Sequence, residues 1–145
     1  MIDLRKPLKE AGASITALRQ NGQTSAHSAA GNGHIDVIKK LKEAGTDVSV
    51  QMQDGRTPMH LAAENGRIDA INALKEAGAN VSLQSQNGFT PIHLAAYNGH
   101  VGAIKALKEA GADVSVLTQN GWTPMHLAAA NGHVDAIKEL KKIFS

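Results

Sequence analysis

Short apolar runs alternate with polar, glycine-marked turns along this chain, and the alternation keeps step. Leu61-Ala62-Ala63 returns as Leu94-Ala95-Ala96 and again as Leu127-Ala128-Ala129, 33 residues on each time. A threonine and a proline precede each run, as in Thr90-Pro91, and Asn-Gly follows it, as in Asn98-Gly99. Threonine suits a helix N-cap, and proline suits the first turn, where no amide donor is needed. Glycine at the far end supplies the left-handed cap. The pattern therefore predicts a short first helix in each period. Ile104 and Leu107, at helical spacing, predict a second helix from about Val101 to Ala110, closed by Gly111. Asp36, Asp69 and Asp135 fall in the first turn of the other second helices, where a negative charge meets the positive dipole end, and Gly102 breaks that habit. Asn87-Gly88, echoed by Asn21-Gly22, Asp54-Gly55 and Asn120-Gly121, predicts type I′ hairpin turns with positive φ at both central residues. Ile15, Val48, Val81 and Val114 are expected to anchor the return into each hairpin.

A fixed period of this length means stacked supersecondary units rather than a globule around one closed core. The expected fold is an all-α repeat solenoid of helix-turn-helix units joined by β-hairpin-like turns. It forms one domain over 1–145, with a half repeat at 1–17 and repeats at 18–50, 51–83, 84–116 and 117–145. The ends depart from the pattern, as solenoid caps should. Ser28 stands where later repeats have leucine, Pro7 interrupts the first helical stretch, and Phe144 replaces a glycine.

The heptapeptide Thr57-Pro58-Met59-His60-Leu61-Ala62-Ala63 recurs as Thr90 to Ala96 and Thr123 to Ala129, with a worn copy from Thr24 to Ala30. Lys-Glu-Ala-Gly recurs in register near the repeat ends. In these motifs the chain resembles the ankyrin-repeat family over essentially its whole length. The resemblance implies a non-enzymatic module that binds a protein or peptide on a concave surface of hairpin tips and first helices. It also marks two departures. Ankyrin repeats often carry a hydroxylatable Asn where this chain has Thr16, Ser49, Ser82 and Ser115. Acidic hairpin positions are replaced by Arg19, Met52, Ser85 and Thr118.

The chain has no cysteine, which removes disulfides and Cys-ligated zinc and suits the cytosol, the expected location. Its start lacks the apolar core of a secretory signal, and no apolar run reaches the ~20 residues of a membrane span. A net charge of +2 is too small to point to a polyanion. A monomer is expected.

Three groups of residues invite a chemical reading. His27, His60, His93 and His126 recur once per repeat, three residues past the threonine, with His34, His100 and His133 at a second register where Arg67 takes the remaining place. Equivalent residues in neighbouring repeats stand roughly 10 Å apart, too far to share a zinc ion with ~2.1 Å bonds. Capping of the helix by the imidazole is the expected role, and neither a metal nor a cofactor is expected. The Thr–His pairs carry the residue types of nucleophilic catalysis, but the hydroxyl belongs to the helix terminus and the motif repeats where an active site would be single. No catalytic residue is assigned. The ladder Lys9, Lys42, Lys75, Lys108 and Lys141 makes a basic helix face. A nucleic acid or anionic surface is the alternative partner there, set against a solvated face with interleaved glutamate.

Variation concentrates elsewhere. Gln23, Arg56, Phe89 and Trp122 precede the threonines, and Gly31, Glu64, Tyr97 and Ala130 follow the alanine pairs. Three of the four aromatic residues are among these eight. The expected binding site is Phe89, Tyr97 and Trp122, flanked by Met52, Arg56 and Glu64, since aromatics and arginine dominate interface energetics. Packing of the rings on neighbouring hairpins is the competing reading. The strong repeat identity also suits an engineered ankyrin scaffold, whereas Pro7, Arg67, Asn72 and Gly102 suit natural drift.

Overall fold

The computed structural model describes residues 24–142. The half repeat at 1–17, with Pro7 and Ile15, the turn at Asn21-Gly22, and Phe144 lie outside them. Four helix pairs follow one another: α1 (Ser25–Asn32) and α2 (Ile35–Glu43), α3 (Pro58–Glu64) and α4 (Ile68–Glu76), α5 (Pro91–Tyr97) and α6 (Val101–Glu109), α7 (Pro124–Ala130) and α8 (Val134–Lys141). First helices pack on first helices, second helices on second helices, and each pair packs internally. The result is the all-α repeat solenoid expected. Among the described residues, no helix is long and apolar enough to cross a membrane.

Side-chain size sets the spacing of the layers. Ala62, Ala63, Ala95 and Ala96 are fully buried, so the first helices approach closely. Ile38, Met59, Ile71, Leu74, Ile92, Ile104 and Leu107 fill the space between repeats and are each essentially inaccessible to solvent. Each contributes roughly 1.5–3 kcal/mol by leaving water. Leu74 and Leu107 lie three residues beyond Ile71 and Ile104, so one stripe of each second helix faces inward.

The first helices start as the residue pattern implies. Thr57, Thr90 and Thr123 are N-caps in extended conformation, and proline occupies the first turn. The second helices end at Ala44, Ala77 and Ala110, each followed by a glycine with positive φ. Between repeats, the chain turns on Asp47, Asn80 and Asp113, whose side chains each accept the N–H of a serine two residues on at 2.8 Å.

The hairpin turns differ from expectation. The Met52 carbonyl accepts the Gly55 N–H at 2.9 Å, and the Met52 N–H donates to the Arg56 carbonyl at 2.7 Å. Ser85 and Thr118 repeat this geometry. Among the described residues, only glycines have positive φ, including Gly55, Gly88 and Gly121. The turns therefore follow a type I path and then a left-handed glycine, not type I′, because Asp54, Asn87 and Asn120 stay at negative φ.

Gly102 lies in the first turn of α6, beneath the Ile68 side chain, whose tip would meet any added Cβ. That tip belongs to a residue 42% exposed, which is free to rotate away. Gly102→Ala is therefore expected to raise stability by about 0.5 kcal/mol, the helix-propensity gain of ~1 kcal/mol less a rotamer cost. Urea unfolding measures this, and a clear loss would show that Ile68 is fixed in place.

Candidate functional site

The histidine three residues past each cap does two jobs. In the second described repeat, His60 Nδ1 accepts the Thr57 backbone N–H at 3.0 Å, and the Thr57 hydroxyl lies 2.8 Å from the same nitrogen. A nitrogen that accepts an N–H carries no proton, so the proton sits on Nε2. Nε2 donates to the Phe89 carbonyl of the next repeat at 2.8 Å. His27 likewise reaches the Arg56 carbonyl at 3.0 Å, and His93 reaches those of Val116 and Trp122 at 2.8 and 3.1 Å. The imidazole thus closes its own helix and fastens the following hairpin.

Burial pushes the His60 imidazole down to about 4, against the opposing effect of the bond to Phe89. Arg56 and His27 add to the lowering, and Asp54 works against it. Burial also lowers His27 and His93, opposed by the carbonyls they meet. His126 keeps the capping geometry but is exposed. In the three earlier repeats both members of each Thr–His pair are buried, so the hydroxyl serves the helix terminus and is closed to a substrate. Among the described residues, no group of three or more His, Cys, Asp or Glu side chains could hold a metal ion.

The residues fastened by histidine are the variable ones: Arg56, Phe89 and Trp122. The Phe89 ring meets the His93 ring edge-on with centroids 5.7 Å apart, and Trp122 meets His126 at 6.1 Å. Arg56 instead bonds Asp54 at 2.9 Å and reaches Glu64 at 3.4 Å. That second contact shows that the residue before the threonine and the residue closing the first helix share a face. By repeat equivalence, Phe89 shares that face with Tyr97. Tyr97 is 49% exposed and Trp122 42%, while Phe89 is half-buried. Local packing thus claims part of each hairpin ring and leaves about half of Tyr97 and less than half of Trp122 to solvent.

Met52 does not belong to that surface. It is 6% exposed, and its main chain closes the hairpin base. Ser85 and Thr118, at the same register, accept the N–H groups of Phe89 and Trp122 on their hydroxyls at 3.3 and 3.1 Å. This register is turned away from solvent, with Met52 and Thr118 buried and Ser85 half-buried.

The family model for ankyrin repeats, three copies, matches residues 2–85 and 77–143. The chain belongs to the ankyrin-repeat family. No curated protein matches the sequence. Ankyrin repeats are, as a class, protein–protein interaction modules and typically non-enzymatic.

Two further features of these ankyrin repeats were not legible in the residue pattern. Asn65 and Arg67 both donate to the Gly31 carbonyl of the preceding repeat at 3.1 Å. Asn131 and His133 reach the Tyr97 carbonyl in the same way, at 2.8 and 3.0 Å. At the second histidine register, His133 is thus an inter-repeat tie, and Arg67 makes the equivalent one two repeats earlier. The basic face is partly structural as well. Lys108 bonds the Glu139 carboxylate at 3.2 Å and caps the last helix through the Glu139 carbonyl at 2.6 Å. Burial would raise the Glu139 carboxyl, but Lys108, with help from Lys142, holds it below its usual value.

Proposed function

We propose that this ankyrin stack binds a protein or peptide partner on the concave face of the family, centred on Phe89, Tyr97 and Trp122, with Arg56 and Glu64 at one edge. One observation carries the reading. Tyr97 and Trp122 expose large aromatic surfaces at registers where other repeats hold Gly31, Glu64, Arg56 and Ala130, so the framework does not require them. Aromatic side chains presented on fixed backbone are typical anchors of interfaces. The histidine bonds to the Phe89 and Trp122 carbonyls supply that fixed backbone. The lysine face competes less well for the partner, since Lys108 is spent on Glu139.

A peptide selected from a random library on the wild-type protein tests the placement. Phe89→Ala with Trp122→Ala should cost at least ~2 kcal/mol of its binding energy. Far-ultraviolet circular dichroism should scarcely change, because neither ring lies in the sealed core. Full affinity in the double variant would refute the site.

A further inference from the structure

Glutamine occupies one place in every hairpin: Gln53, Gln86 and Gln119, with Gln20 in register in the sequence. The three described ones are exposed, and their carboxamides have no partner among the described residues. A second glutamine register behaves differently. Gln51 donates to the Gly55 carbonyl at 3.3 Å, and Gln84 to those of Gly88 and Leu117 at 3.0 and 3.2 Å. The fold therefore uses one set of glutamines to brace its hairpins and leaves the other free. Only main-chain N–H groups of the free set serve the stack: Gln86 donates to Asp54 and Gln119 to Asn87. Any residue except proline could supply those bonds.

A constant row of carboxamides beside a variable row of side chains suits a target that looks the same at every register, and a peptide main chain is such a target. In a helix that main chain is already bonded to itself; in an extended segment it is open. Adjacent repeats stand about 8–10 Å apart. Three residues of polyproline II advance about 9.3 Å and return to the same face, whereas the third residue of a β-strand points to the opposite one. The variable registers of the last two repeats hold Phe89, Tyr97, Trp122 and Ala130, with no Asp, Glu, Lys or Arg among them.

Resting on the site proposed above, we infer that the partner presents an uncharged segment in polyproline II conformation, laid along the stack at one turn per repeat. The carboxamides of Gln53, Gln86 and Gln119 receive its main-chain carbonyls. Every third side chain lodges against Phe89, Tyr97 or Trp122.

Fluorescence anisotropy with a labelled (Leu-Pro-Pro)4 peptide tests this, beside an alanine-rich helical peptide with leucines seven residues apart. The polyproline probe should bind and the helical probe should not. Phe89→Ala with Trp122→Ala should weaken the probe about tenfold or more. Gln86→Ala with Gln119→Ala, both exposed, should weaken it about threefold or more with unchanged circular dichroism. Failure of the probe to bind, or indifference to the glutamine pair, overturns the inference. If the helical probe binds and the aromatic pair abolishes it, the aromatic site stands and the polyproline reading falls.

Discussion

Acidification from pH 7 to 4 is expected to remove about 3 kcal/mol of folding stability through His60 alone. The unfolded chain takes up a proton on this residue near the ordinary histidine value of 6.5, but the folded chain does so only at about 4. Between those values the unfolded state binds more protons, so stability falls as the pH falls through that window. The cause is visible in the bonding. Nδ1 already accepts the Thr57 N–H, so a proton placed there breaks the cap and puts a charge in the core. His27 and His93 are shifted the same way by burial and add to the loss. Glu139 and Asp113 have carboxyl groups held below their ordinary values of 4.5 and 3.8, so the stability they contribute is lost only at lower pH. From 6.5 to 4.5 the decline therefore belongs to the buried imidazoles. Urea unfolding at intervals across that range measures it, and a level profile would mean that these histidines are solvated in the folded state.

The acid response follows from a residue whose local role was readable and whose distant role was not. Thr, Pro and His at fixed offsets announce a capped helix, because capping is decided within one turn of chain. The same spacing says nothing of where Nε2 points. Its acceptor lies 29 residues on for His27, His60 and His93, across a packing contact. Met52 failed for a related reason. Its neighbours marked a hairpin, but the turn type decides which residue faces in, and Asp54-Gly55 is compatible with more than one turn. Type I with a left-handed glycine turns Met52 toward the core and sets its register to hold the hairpin shut. Phe89, Tyr97 and Trp122 stand out by the opposite logic, as departures from an otherwise repeated framework. Exposure of the last two agrees with that logic, and the edge-on contacts with His93 and His126 show how the rings are oriented.

Gly88→Ala is expected to cost about 3 kcal/mol, and Gly121→Ala only about 1 kcal/mol. Both glycines close the same turn, with φ of 84° and 83°. Left-handed strain and the reduced freedom of the unfolded chain are therefore common to both substitutions. They differ in what stands behind them. A Cβ on Gly88 would lie 2.6 Å from the Gln119 nitrogen and 3.0 Å from the Thr118 carbonyl carbon, both main-chain atoms with no rotamer to relieve the overlap. A Cβ on Gly121 meets nothing within 4 Å. Relief at Gly88 requires the last hairpin to move away, which breaks the bond from the Gln119 N–H to the Asn87 carbonyl at 2.8 Å. It also draws the Trp122 carbonyl from His93. The extra loss thus measures how tightly hairpins are stacked, separately from how each one turns. Parallel urea titrations of the two variants give the difference directly. Equal losses would mean that the tips move apart at little cost, and that the aromatic residues between them ride on a looser support than their hydrogen bonds imply.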